Sequence, residues 1–137
     1  MTKTITLEAT VNAPVEKVWK YWNEPKHITQ WAFASPDWHA PKAENDLRLN
    51  GTFSTTMAAK DGSFSFEFGG VYTQVESHKT IEYTIRDGRK VQIYFISEGN
   101  QTKIIETFEP ESQNPEEMQR GGWQAILDNF KAYTENN

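Results

Sequence analysis

The sequence contains no cysteine, which excludes disulfide bonds and thiolate metal sites. It also lacks an apolar run long enough to cross a bilayer, and the segment Met1–Thr6 lacks the apolar core of a secretory signal. We therefore expect a cytoplasmic protein. The histidines, His27, His39 and His78, stand in separate segments without a metal-ligand partner at the usual spacing. We predict neither a metal nor another cofactor.

Basic residues are too few to form a cationic surface, because 14 Lys and Arg stand against 19 Asp and Glu. Contacts to phosphate dominate the affinity of proteins for nucleic acids, so a net charge of −5 disfavours nucleic acid as a partner. Anionic membrane surfaces are disfavoured for the same reason. The sequence also has no Gly-x-Ser-x-Gly nucleophile motif and no phosphate-binding glycine loop. Hydrolases and nucleotide-binding proteins of those types are thereby disfavoured.

Aromatic residues, in contrast, are abundant and make up 13% of the chain. Each carries a large apolar area, so such residues either fill a core or line a pocket. A chain of 137 residues corresponds to one domain, here residues 1–137.

The N-terminal third predicts one strand followed by two short helices. Apolar and polar residues alternate over Thr4–Val11, which is the period of a half-buried strand. From Pro14 the spacing becomes helical, and proline is favoured at the start of a helix. The face expected to be buried there consists of Val15, Val18, Trp19 and Trp22. A second short helix is expected around Lys26–Gln30, and the Pro-containing segment Ala32–Asp46 is expected to be a loop or an edge strand.

The rest of the chain predicts hairpin-linked strands and a long C-terminal helix. Alternating patterns run from Leu47 to Phe108, with turn signals such as Lys60–Ser63 and Arg86–Arg89 and a bend at Gly69–Gly70. Asn114 is the expected helix cap. The expected apolar stripe is Met118, Gly122, Trp123, Ile126, Leu127, Phe130 and Tyr133. The predicted fold is α+β, a curved antiparallel sheet of six or seven strands wrapped on this helix.

Five segments carry a resemblance to a known family: Val11–Trp19, Asp46–Gly51, Gly70–Tyr72, Thr107–Glu111 and Gly122–Phe130. Together they resemble the START-like (SRPBCC, birch-pollen-allergen-like) superfamily and, within it, bacterial relatives of the activator of heat shock protein 90 ATPase. The resemblance implies a helix-grip fold with a cavity between the sheet and the C-terminal helix. It also implies that the cavity holds an apolar or polycyclic small molecule.

Combined with the strand alternation, the resemblance gives a set of candidate ligand-binding residues. Trp31 is expected at the mouth, Trp123 is expected to be buried where the helix meets the sheet, and Tyr72 or Tyr83 is expected to orient the ligand through its hydroxyl. The full set is Trp31, Phe53, Met57, Phe66, Phe68, Tyr72, Tyr83, Ile85, Ile93, Phe95, Trp123 and Leu127.

Two other functions stay open. A cyclase- or hydrolase-like enzyme would need a buried acid, and Glu106 is the candidate, although the sequence favours a domain without catalysis. Isoleucine at both 104 and 105 leaves the facing of Glu106 undecided, and we expect it on the surface. An interaction module modulating a heat shock protein 90 type chaperone would need an exposed anchor, for which Trp38 is the candidate.

Overall fold

The computed structural model describes residues 3–137, which form seven strands and three helices. The elements follow one another in the predicted order: one strand, two helices, six hairpin-linked strands and a long C-terminal helix. Their bounds are β1 Ile5–Val11, α1 Val15–Asn23, α2 Pro25–Trp31, β2 Trp38–Asn45, β3 Thr52–Ala59, β4 Ser65–Glu76, β5 Thr80–Ile85, β6 Lys90–Glu98, β7 Gln101–Phe108 and α3 Glu116–Asn136.

All seven strands belong to one antiparallel sheet with the order β1-β7-β6-β5-β4-β3-β2. Strands β2 to β7 follow one another as neighbours, while β1 crosses over to pair with β7. The sheet curls into a half-barrel around α3, which is the predicted helix-grip architecture. The seventh strand is β2, at the edge, where the sequence left a choice between loop and strand.

Helix α1 follows its predicted pattern, since Val15, Val18 and Trp19 are buried. Helix α2 is slightly longer than expected and begins with Pro25 in its first turn. Within residues 3–137, no helix is both long and apolar enough to span a membrane.

The start of α3 differs from the prediction, because Asn114 does not cap it. The side chain of Asn114 instead donates to the Glu111 carboxylate at 3.2 Å, and its backbone N–H donates to the same carboxylate at 2.7 Å. Helix α3 begins after Pro115, whose own backbone starts the hydrogen-bond ladder. Met118, expected on the buried stripe, is 63% exposed, because its neighbour Gln119 takes the buried position of this turn and donates to the carbonyl oxygens of Glu111 and Asn114.

Strand β4 runs without interruption through Gly69 and Gly70, where the sequence predicted a bend. A Cβ on Gly70 would lie 2.2 Å from the carbonyl oxygen of Thr84 on β5. Only glycine permits so close an approach of two backbones. Gly70 therefore allows β4 to lie close against β5 without interrupting β4.

Candidate ligand-binding cavity

A cavity of about 280 Å³ lies between the concave face of the sheet and the helices. Strands β3, β4 and β5 form its floor, and residues of α1, α2 and α3 form its roof. Eight of the predicted site residues line it: Trp31, Phe53, Met57, Phe66, Phe68, Tyr72, Tyr83 and Trp123. Their contact with a ligand stays a prediction, but the fold brings all eight side chains around the same cavity.

The other four predicted residues, Ile85, Ile93, Phe95 and Leu127, are buried but do not belong to this wall. Phe95 packs against Trp19 and Trp22 with ring centroids 5.2 and 5.7 Å away. Leu127 is 1% exposed. Ile93, Phe95 and Leu127 therefore belong to the packed core, whereas Ile85 borders a different pocket, beside Phe53 and Gly70.

Several cavity residues were not among the predicted set, including Thr55 and Ile126. Thr55 alternates with Phe53 and Met57 along β3, so the strand period that selected its neighbours also indicates this threonine. Ile126 follows Trp123 at helical spacing and was on the expected stripe. Trp22, from α1, is held by an edge-on contact with Phe130 at 4.8 Å.

Trp123 is half-buried instead of fully buried. Its indole lies flat on Phe108, with ring centroids 4.0 Å apart and planes 3° apart, and it meets Phe68 edge-on at 5.8 Å. One face of the ring is therefore fixed by the sheet. The remainder lines the cavity and is available to a ligand.

The hydroxyl of Tyr72 is held by a short chain of hydrogen bonds. It donates to Oδ1 of Asn45, whose Nδ2 donates in turn to the backbone carbonyl of Asn23 at 2.7 Å. Burial raises the pKa of Tyr72 above its ordinary value. Since the Tyr72 proton is already engaged, this hydroxyl can offer a ligand only its oxygen.

Glu106 lies in the cavity wall, and the expectation that it lies on the surface was wrong. It is 6% exposed and shares its face of β7 with the fully buried Ile104 and Phe108. Ile105, on the opposite face, is only half-buried, so a hydrophobic residue on the outer face had obscured the pattern. Burial raises the pKa of the Glu106 carboxyl to about 8.

Tyr83 is the second buried polar group of the wall. Its ring meets Phe53 edge-on at 4.7 Å, and burial followed by the nearby charge of Glu106 raises the pKa of Tyr83 well above its ordinary value. Among residues 3–137, neither the Tyr83 hydroxyl nor the Glu106 carboxyl has a side-chain hydrogen bond. Both groups are thus directed at the cavity without a protein partner.

An exposed aromatic cluster lies at the cavity rim and contains Trp38, the candidate interaction anchor. Trp38 is half-buried and packs edge-on against Phe64 and Phe66 at 6.1 and 5.9 Å. Phe64 and Phe66 are 59% and 42% exposed. Because Phe66 also lines the cavity, this cluster and the cavity form a continuous aromatic surface.

The residues 3–137 contain no group of three or more His, Asp or Glu side chains that could hold a metal ion. His27 is engaged elsewhere, stacked on Tyr21 at 3.9 Å and hydrogen-bonded through Nδ1 to the Tyr133 hydroxyl at 2.7 Å. Burial lowers the pKa of His27.

Comparison with known protein families gives a match over residues 12–135 to the family described as Activator of Hsp90 ATPase homolog 1-like protein. The chain belongs to this family. No curated protein matches the sequence significantly.

Solved structures agree with that assignment. An AHSA1-like protein from Aeromonas hydrophila is 42% identical, with a TM-score of 0.92 over 98% of this chain and 93% of that chain. A protein from Cytophaga hutchinsonii is 64% identical, with a TM-score of 0.84 and the same two coverages. A Chromobacterium violaceum protein at 23% identity, with a TM-score of 0.87 over 98% of this chain and 99% of that chain, shows the fold alone. The fold is the START-like helix-grip fold.

Proposed function

We propose that this AHSA1-like protein binds a flat, apolar small molecule in the cavity between sheet and C-terminal helix. The observation that supports this function best is the aromatic lining, because Phe53, Phe68 and Trp123 present ring surfaces to a space that the side chains of residues 3–137 leave open. Ligand pockets are typically concave and apolar with a few directed polar groups. Tyr72, Tyr83 and Glu106 supply such groups here.

The cavity volume limits the size of the ligand. About 280 Å³ lies just below the usual range of roughly 300–1,000 Å³ for ligand pockets. Compounds with two or three fused rings therefore fit the proposal better than a complete sterol. Burial of roughly 300 Å² of apolar surface contributes about 7 kcal/mol, and association costs offset a large part of that. We expect micromolar dissociation constants.

A thermal-shift screen with flat aromatic compounds of two to four rings tests the proposal. A ligand at about a hundredfold excess over its dissociation constant stabilises the native state by about 2.7 kcal/mol, so binders raise the melting temperature. Tryptophan fluorescence should change as well, because Trp31 and Trp123 line the cavity.

The matched control is a pair of phenylalanine variants. Phe68→Ala alters the cavity wall, whereas Phe64→Ala alters the exposed rim cluster outside the lining. Loss of the shift in Phe68→Ala alone supports the cavity. Loss in Phe64→Ala alone contradicts cavity binding and indicates that the compound binds on the aromatic cluster around Trp38.

A second candidate function, acid–base catalysis on the bound molecule, has one observation in its favour, the buried carboxyl of Glu106. A carboxyl with a pKa near 8 is poised to exchange a proton near neutral pH. Mass spectrometry of compounds recovered after incubation distinguishes the two functions. Unaltered compounds support binding, whereas a product that disappears with Glu106→Gln supports catalysis.

A further inference from the structure

We propose that Glu106 is the recognition group of the cavity and that its carboxyl O–H donates a hydrogen bond to an uncharged acceptor oxygen of the ligand, of the ketone or quinone type. The proposal rests on the proposed function, because it names the chemical class of the molecule held in that cavity. It adds a requirement that an apolar lining alone does not impose, namely a carbonyl oxygen on one edge of a flat ring system.

The strand register places Glu106 among apolar neighbours. On β7 it pairs with Leu7 of β1 on one side and with Ile93 of β6 on the other. Leu7 and Ile93 are 2% and 0% exposed, so the carboxyl cannot reach water along the sheet in either direction. The cavity is the space left to it.

The charged and titratable groups facing the cavity do not neutralise this carboxyl. The guanidinium of Arg89 donates to Asp87 at 2.8 Å and to the carbonyl oxygen of Glu109 at 3.2 Å. Glu44, at the exposed rim, pairs with Lys42 at 3.3 Å. The remaining titratable groups of the lining are Tyr72 and Tyr83.

The elements packed over Glu106 add no further charge. Helices α1, α2 and α3 contribute only uncharged side chains to the lining: Trp22, Asn23, Ile28, Trp31, Trp123 and Ile126. A ligand that fills the cavity takes water away from this carboxyl, and a ligand atom that completes its hydrogen bond avoids the cost of leaving it unpaired. Glu106 is therefore the position where a matching polar atom on the ligand gains most.

The protonation state selects the kind of ligand atom. Desolvation raises the pKa of Glu106 to about 8, so the carboxyl is mainly uncharged at neutral pH and acts as a hydrogen-bond donor. A carbonyl oxygen accepts such a bond. An N–H donor of the ligand would instead favour the ionised carboxylate, which this cavity disfavours.

Three tricyclic compounds of nearly the same shape test the assignment: fluorene, which has no polar group, fluorenone, which carries an acceptor oxygen, and 2-aminofluorene, whose uncharged amino group donates N–H. Their dissociation constants are measured by calorimetry between pH 6 and pH 9. We expect fluorenone to bind more tightly than fluorene at pH 6 and 7. With a pKa of about 8, the protonated fraction falls about tenfold between pH 7 and 9, so this preference should shrink by up to about tenfold.

Variants separate hydrogen-bond donation from packing. Glu106→Gln keeps a donor but cannot titrate, so it should prefer fluorenone equally at all pH values. Glu106→Leu should lose the preference itself. Tyr133→Phe is the matched control, since the Tyr133 hydroxyl bonds to His27 outside the cavity lining, and it should retain the wild-type preference and pH profile.

Each alternative result overturns the assignment in a distinguishable way. Binding of fluorene and fluorenone with equal affinity at every pH leaves the apolar cavity in place but removes Glu106 as its recognition group. Tightest binding of 2-aminofluorene, increasing as Glu106 ionises, replaces the carbonyl acceptor of the ligand with an uncharged N–H donor. If the folded Glu106→Gln variant, which has no titrating group at this position, keeps the wild-type pH profile of ligand preference, the pH dependence belongs to another residue. Failure of all three compounds to bind contradicts the proposed function together with this inference.

Discussion

Two regions of the same sheet face carry similar apolar patterns but are packed very differently. In the packed region, where β1, β6 and β7 meet α1 and the later turns of α3, Ile93, Ile104 and Phe130 are all 0% exposed. In the cavity region, formed by β3 to β5, Phe53, Met57 and Phe68 are only half-buried and surround a void. Alternation determines which way a side chain points. Whether the opposing space is filled depends on where the helices cross the sheet.

The largest expected effect compares two phenylalanines across these regions. Phe130→Ala empties a fully buried site and should lower the free energy of unfolding by about 3–5 kcal/mol. Phe68→Ala should cost less than half as much, because its ring is half-buried and already borders a cavity. Denaturant unfolding monitored by circular dichroism measures both. Equal losses would show that the cavity region is packed as tightly as the rest of the core.

The pH dependence of stability should depend on Glu106, at the border of the two regions. The folded-state pKa of about 8 exceeds the ordinary value of 4.5, so the folded protein holds a proton that the unfolded chain releases. The associated stability is fully present below pH 4.5 and is lost as the pH rises through about 8. Each pKa unit corresponds to about 1.4 kcal/mol, which gives a loss of about 3–5 kcal/mol.

Glu106→Gln provides the control for this effect. The difference in unfolding free energy between wild type and this variant should become less favourable to the wild type from pH 5 to about pH 8 and then level off toward pH 9. A difference independent of pH would mean that the Glu106 carboxyl is solvated in the folded protein. It would contradict the burial of Glu106 in the cavity wall.

Two buried threonines sharpen the comparison. Thr102 is 0% exposed and donates to the Ala13 carbonyl at 2.9 Å, so Thr102→Leu should destabilise by about 2–4 kcal/mol through overpacking and a lost hydrogen bond. Thr55 borders the cavity, and Thr55→Leu should change stability by less than about 1 kcal/mol while weakening fluorene binding. Thermal unfolding with and without fluorene measures both. A large destabilisation by Thr55→Leu would argue against free space at that position.

The smallest expected effect concerns two tyrosine hydroxyls. Tyr133→Phe removes a hydrogen bond to His27 away from the cavity, and Tyr72→Phe removes one to Asn45 inside it. Each should lower stability by about 0.5–1.5 kcal/mol. Calorimetric titration with fluorene should detect a changed affinity in Tyr72→Phe only. A change in Tyr133→Phe would indicate that the C-terminal end of α3 also controls the site.

The sequence predicted the order of elements and most of their facing because strand and helix periods are local properties. It could not place Glu106, since Ile104 and Ile105 give β7 an apolar residue on both faces. It also could not separate Phe53, beside the void, from Phe95, which Trp19 and Trp22 cover. That distinction depends on contacts between residues far apart in the chain.

The most direct test of the account is an NMR titration of the methyl-labelled protein with fluorene. The cavity predicts saturable shifts of the Met57, Ile28 and Ile126 methyl signals, which line the void, while those of Ile93 and Leu127 in the packed region stay nearly unchanged. Saturable shifts of Ile93 and Leu127 without those of Met57 and Ile126, or no saturable shift at all, would contradict ligand binding in this cavity.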